Sequence, residues 1–216
     1  MSPRASFPIV IGMRKIITTT FVTLDGVMQA PGGPEEDTSG GFEYGGWQQG
    51  SDYQDDLTGK IIEDFMTTPF EMLLGKRTYE IFAGYWPNHP EIELIAKPFN
   101  STRKYVVSDV PMEVSWNNSV LITGNVVSEI KKLKTLDAPD LWVWGSGNLI
   151  QTLLKHNLID RMHIWIHPLT IGTGKKLFAE GTQPQRFKFV DLKISTTGVL
   201  VATYEHGESI KTGSYT

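Results

Sequence analysis

"WVWGSGNLIQTLL", residues 142–154, is the stretch whose reading decides the fold. Its apolar run stops at Gly145-Ser146-Gly147 and resumes with Leu149, Ile150, Leu153 and Leu154 at helical spacing, the pattern of a buried strand that turns directly into a helix. Such a turn either only reverses the chain or presents free helix N–H groups to an anion. A second instance, "FEMLLGKRTYEIF" at 70–82, has the same build, with Gly75 at the turn, Lys76 and Arg77 opening the helix and Thr78 behind them.

Working outward, the β-branched run "KIITTTFVTL" at 15–24 predicts a strand that ends at the Asp25-Gly26 turn. The segment "MQAPGGPEEDTSGGFEYGGW" at 28–47 carries glycine pairs and prolines throughout, so it is a long loop, either a functional lid or a disordered connection. Leu57, Ile61, Ile62 and Phe65 predict a helix over 52–66 with acids in its first turn. Helix from Lys76 runs to Gly84 and Pro87, strands are expected at 104–108, 119–123 and 141–144, and a further helix at Asn125 buries Val127, Ile130 and Leu133. Strands alternating with helices imply βαβ units and a largely parallel sheet. After Asp160, "RMHIWIHPLTIG", "QRFKFVDLKIST" and "VLVATYEHG" are strand-like without helices between them, which predicts an antiparallel C-terminal edge.

The 216 residues suit one domain, expected over 13–216, preceded by a disordered leader at 1–12 whose apolar run is broken by Pro8. Met13 followed by "RKIITTTF" reads as a natural start, and mass spectrometry of the native protein tests this. A net charge of -4 without a basic cluster argues against a nucleic-acid partner, and no apolar run is long enough for a membrane span. Cysteine is absent, which removes disulfides, thiol nucleophiles and thiolate metal sites and fits a cytoplasmic location. His163 and His167 are i, i+4 on a strand, about 13 Å apart at strand rise, so no metal is predicted. Trp142 and Trp144 share a strand face and read most simply as core, with Trp144 able to border a ligand.

Taken in order, "TLDGVM", "LLGKRTYEIF", "KYVVS", "WVWGSGNLI" and "HPLTIGTGKKLF", between about Arg14 and His206, resemble the dihydrofolate reductase-like superfamily. Within it the likeness is closer to the C-terminal reductase domain of the bifunctional riboflavin-biosynthesis deaminase-reductase and its stand-alone bacterial relatives. The resemblance implies an α/β three-layer fold, with a mixed, mostly parallel sheet, helices on both faces and an antiparallel C-terminal edge. It also implies a reductase that uses NADPH on a small-molecule substrate, and a homodimer. "GSG" departs from the G-x-G-x-x-G dinucleotide fingerprint, because Gly147 is followed by Asn148, Leu149 and Ile150, so a Rossmann geometry is disfavoured.

Carried over by position, the resemblance gives Gly75, Lys76, Arg77 and Thr78 the pyrophosphate and 2′-phosphate, Val107 and Ser108 the adenine ribose, and Gly145, Ser146, Gly147 and Asn148 the pyrophosphate again. Met28 would lie near the nicotinamide. Asp109 after Ser108 would repel a 2′-phosphate unless Lys76 or Arg77 intervenes, so NADH is the alternative cofactor. Asp56, early in the helix where dihydrofolate reductase has its substrate carboxylate, is a candidate catalytic residue, and its other reading is a solvated first-turn acid. Asp25 is a second candidate, and an Asp before Gly is equally a turn former.

The reaction implied resembles reduction of 5-amino-6-(5-phosphoribosylamino)uracil in riboflavin biosynthesis. That substrate's phosphate needs a second basic cluster, for which only Lys175 and Lys176 are in view. The zinc deaminase half of the bifunctional enzyme is excluded by the lack of cysteine. Two alternatives stand beside it: reduction of dihydrofolate or another C=N compound, and a nucleotide-binding protein without chemistry.

Overall fold

Ile16–Thr23 (β1) is buried along almost its whole length because it is the middle of a sheet flanked on both sides. In a computed structural model describing residues 13–49 and 53–215, the other strands are Phe70–Gly75 (β2), Lys104–Val107 (β3), Ser119–Ile122 (β4), Asp140–Trp144 (β5), Arg161–His167 (β6), Phe187–Ile194 (β7) and Leu200–His206 (β8). The helices are Asp56–Thr67 (α1), Lys76–Tyr85 (α2), Glu93–Ser101 (α3), Val126–Lys134 (α4) and Gly147–Lys155 (α5). The strand order is β4-β3-β2-β5-β1-β6-β8-β7. The leader expected over 1–12 and the expected helix start at Asp52 lie outside the described residues.

Period-2 alternation divides the core between two layers. Ile16, Val143 and Met162 face one side with Ile130 of α4 and Ile150 and Leu153 of α5, while Ile17, Trp142 and Trp144 face the other with Met66 of α1, Tyr79 of α2 and Phe99 of α3. Helices therefore cover both faces, the three-layer arrangement that the strand–helix alternation implies.

Two elements differ from the sequence reading. The helix α3 was not foreseen, because Pro98 lies inside it and Pro87 and Pro90 precede it, all of them stop signals in isolation. Packing overrides them, with Ala96 and Phe99 buried beneath it. The C-terminal change of direction also comes later than expected. α5 is a crossover, so β6 returns parallel to β1 from Ile17↔Arg161 to Thr23↔His167, and the antiparallel pairing is made by β8, which runs against both β6 and β7. Ser195 N–H donates to the carbonyl of Val199 at 2.9 Å to close that hairpin, with Gly198 at φ +87°.

What positions a site is the carboxyl edge of β2 and β5. These neighbouring strands pair in parallel, with Met72 opposite Trp142, yet α2 leaves toward one face and α5 toward the other. The divergence opens a crevice between the two helix starts, the topological switch point at which open α/β sheets bind ligands.

Candidate active site

Both helices that open on this crevice begin without a side-chain cap. Gly75 is extended ahead of α2, and Ser146 sits in the left-handed region at φ 58° ahead of α5. The left-handed residue costs a non-glycine side chain roughly 1–2 kcal/mol, and it turns the Ser146 hydroxyl back so that its Oγ accepts the Gly75 N–H at 3.0 Å. The two turns are thereby joined. Their remaining first-turn N–H groups face a cleft of about 2040 Å³, large enough for two small molecules side by side.

Every cofactor-side position named from the sequence lines this cleft: Met28, both glycine turns with Lys76, Arg77, Thr78 and Asn148, and the Val107-Ser108 strand end. A Cβ placed on Gly147 would stand 3.3 Å from Met28 Sδ, so the thioether lies directly over the bare turn. Ser108 is less available than expected, since its hydroxyl donates to the carbonyl of Val110 at 2.6 Å.

The glycine-rich loop is held in place by side chains. Gln29 donates through Nε2 to the carbonyls of Asp37 and Ser39, both at 2.9 Å, and accepts from Lys175 N–H at 3.0 Å. Trp47 Nε1 donates to the Gln29 carbonyl at 2.8 Å. Gly45 is required there, because a Cβ would fall 2.4 Å from the Pro34 carbonyl oxygen. Asp37 is the electrostatic centre of the loop: Lys175 Nζ pairs with it at 2.6 Å and Arg77 at 3.1 Å. Burial pushes the Asp37 carboxyl up, but hydrogen bonds from Lys175 and Ser39 outweigh this and hold it below the usual carboxylate range. Lys175 is thus engaged with Asp37, while Lys176 also lines the cleft, one residue before Leu177, whose carbonyl accepts from Gln151 Nε2 of α5.

The structure does not bring the two candidate catalytic acids into the cleft. The carboxylate of Asp25 accepts from Thr23 Oγ1 at 2.6 Å and from the N–H groups of Ile171 at 3.2 Å and Gly172 at 2.8 Å. These bonds, the Thr23 hydroxyl foremost, lower its pKa to about 2 and tie the end of β1 to the segment after β6. Asp56 is exposed at the first position of α1 and does not line the cleft. Its neighbour Asp55 does, but as the helix cap, accepting from Thr58 N–H at 2.8 Å and from Thr196 N–H at 2.8 Å.

The half of the cleft away from the cations is aromatic, and this the sequence reading missed. Phe82, Trp86, Ile95 and Phe99 come from α2, the turn after it and α3, and Ile62 and Met66 from α1, over a floor that includes Trp144 and Trp165. The spacing of Phe82 and Trp86 was visible as i, i+4, but it is equally the spacing of a core stripe. His167 also lines this half, packed edge-on against Trp47 at 5.2 Å and Tyr53 at 5.2 Å, and burial lowers its pKa. Among the described residues there is no cluster of three or more His, Asp or Glu that could hold a metal ion, and no helix long and apolar enough to cross a membrane.

Comparison with known proteins places this architecture. The chain is 28% identical over 198 residues to the uncharacterized protein YyaP of Bacillus subtilis strain 168, covering 88% of this chain and 94% of that one. It superposes on a Shewanella sp. PV-4 protein provisionally assigned to riboflavin biosynthesis with a TM-score of 0.65 at 21% identity, over 90% of this chain and 99% of the other. A dihydrofolate reductase from Enterococcus faecalis, solved with NADP(H), gives a TM-score of 0.58 at 13% identity, over 90% and 97% of the two chains. These likenesses establish the dihydrofolate reductase-like fold, and the profile of one family matches residues 14–201, nearly the whole described chain. On that match the chain belongs to the RibD C-terminal domain family.

Proposed function

We propose that this protein is an NADPH-dependent reductase of small molecules. The observation that carries the reading is the meeting of two uncapped helix N-termini at one switch point, joined by the Gly75 N–H to Ser146 Oγ bond. Uncapped N–H groups and two converging helix dipoles suit a pyrophosphate, and the bare Gly75, Gly145 and Gly147 let it approach the backbone. Lys76 and Arg77 stand at the start of α2 with half-exposed side chains, where they would pair a 2′-phosphate. Met28, lying over Gly147, would border the nicotinamide. A bound NADPH supplies a hydride, and the chain's own part is to orient it, hold the acceptor and keep water out.

The test is a titration with NADPH and, separately, NADH, following tryptophan emission. NADPH is expected to bind at least tenfold more tightly than NADH, and replacing Lys76 and Arg77 with alanine is expected to erase that advantage while leaving NADH almost unaffected. Absence of saturable binding by either nucleotide would overturn the reading. We further propose a homodimer. Supporting it, the edge strand β7 exposes Phe189, Val190, Leu192 and Ile194 beside its unpaired backbone groups, and sedimentation of Leu192→Lys against wild type tests it.

A further inference from the structure

Charge in the cleft is divided by position. The cations that line it, Lys76, Arg77, Lys175 and Lys176, all lie at the α2 start or along the segment 175–177, which is fastened to α5 by the Gln151 Nε2 bond to the Leu177 carbonyl at 2.5 Å. Among the described residues, no Lys or Arg lines the opposite wall made by α1, the C-terminal half of α2 and α3. Asp55, the acid at the start of α1, is spent on Thr58, Ser195 and Thr196. An anionic group placed there would give up its hydration without meeting a cation to offset its charge.

The floor of the same half has the opposite property. Thr19, Trp144 and Trp165 lie on the sheet face that α1 and α3 cover, as β1 pairs Thr19 with Trp144 and Phe21 with Trp165. They are only 1%, 7% and 2% exposed, they line the cleft, and Thr19 Oγ1, Trp144 Nε1 and Trp165 Nε1 have no hydrogen-bond partner. Indole N–H groups donate only, so a ligand that satisfies them must present lone pairs. The rings of Phe82, Trp86 and Phe99 supply flat apolar walls.

We propose that the substrate is a neutral aromatic heterocycle that carries hydrogen-bond acceptors in its ring plane and neither a phosphate nor a carboxylate tail. This rests on the reductase reading for the identity of the site as a substrate site. It separates the protein from any reductase whose substrate is a ribosyl phosphate or a glutamate-bearing pterin.

The probes are quinoxaline, a neutral bicycle with two acceptor nitrogens, and quinoxaline-2-carboxylate, titrated calorimetrically with and without NADPH. Quinoxaline is expected to bind at least tenfold more tightly than its carboxylate. Trp144→Phe, which removes the indole N–H and keeps a ring, is expected to weaken quinoxaline several-fold. Gly84 lines the uncharged wall and a Cβ added to it would meet nothing within 4 Å, so Gly84→Arg is the variant that brings a cation to that wall. It is expected to raise affinity for the carboxylate at least fivefold relative to quinoxaline. Equal or tighter binding of the carboxylate by wild type overturns the proposal, as does failure of both probes to bind. Quinoxaline binding without any NADPH binding would instead sink the reductase reading and leave the ring selectivity standing.

Discussion

Asp37 and Arg77 form an ion pair at 3.1 Å that ties the glycine-rich loop to the first turn of α2. The same carboxylate holds Lys175, so one acid from the loop neutralises a cation on each rim of the cleft. A phosphate arriving at α2 must compete with Asp37 for Arg77, and loop position and anion binding are therefore coupled. Asp37→Asn is expected to tighten NADPH up to about fivefold, on the order of 0.2–1 kcal/mol for one half-exposed pair. It should also speed amide exchange in residues 29–46. Weaker NADPH binding in this variant would mean that the closed loop is itself part of the cofactor site.

Gly147 separates fold from function. It is helical, so alanine is conformationally allowed, and its Cβ would meet only the flexible Met28 thioether at 3.3 Å. Gly147→Ala should leave thermal stability within about 0.5 kcal/mol of wild type, since a helix gains from the exchange what the contact loses. NADPH affinity is expected to fall about tenfold as Met28 is displaced over the turn, a change of about 1.4 kcal/mol. A loss of stability with intact NADPH binding would make the turn merely structural.

The adjacent acids of α1 should respond in opposite ways. Asp55→Asn removes a charged acceptor shared by Thr58, Ser195 and Thr196, which joins α1 to the β7–β8 hairpin, and should lower the denaturation midpoint clearly. Those bonds, the Thr58 N–H foremost, hold the Asp55 carboxyl well below its ordinary value. Its stabilisation is therefore present above the unfolded carboxylate pKa and is lost as pH falls through the folded one. Asp56→Asn, at an exposed site outside the cleft, should change neither stability nor turnover. A turnover defect in Asp56→Asn alone would restore it as a catalytic candidate.

This pair also shows what could be read from the chain. Strand–glycine–helix punctuation at Gly75 and Gly145–Gly147 is local, so the switch point and the two turns that line it were legible. That Asp55 and not Asp56 caps α1 follows from its reciprocal capping box with Thr58, a local signal the sequence reading passed over, whereas its tie to Ser195 and Thr196, 140 and 141 residues away, was not legible. The aromatic wall was hidden for a related reason, because Phe82 and Trp86 carry the pattern of a core stripe and only α3, masked by its prolines, shows that they border a cleft. The 25–172 link was hidden too, since a turn-forming Asp and a backbone clamp have the same sequence signature.

His163 gives the fold a pH dependence of definite sign. Its ring lies between Phe65 at 4.8 Å and Trp142 at 6.0 Å, with Nδ1 3.0 Å from Thr203 Oγ1. Burial foremost, then the charges of Arg161 and Lys193, lower its pKa from 6.5 to about 4. Between these values the unfolded chain binds a proton that the native ring refuses, so stability falls as pH drops below 6.5, and the loss is complete near pH 4. The shift corresponds to up to about 3 kcal/mol. His163→Phe keeps an aromatic ring between Phe65 and Trp142 while removing the titration. Denaturant melts from pH 7 to 4 should then show a shallower slope for the variant than for wild type. Parallel slopes would mean that the native ring takes up its proton as readily as the unfolded chain does.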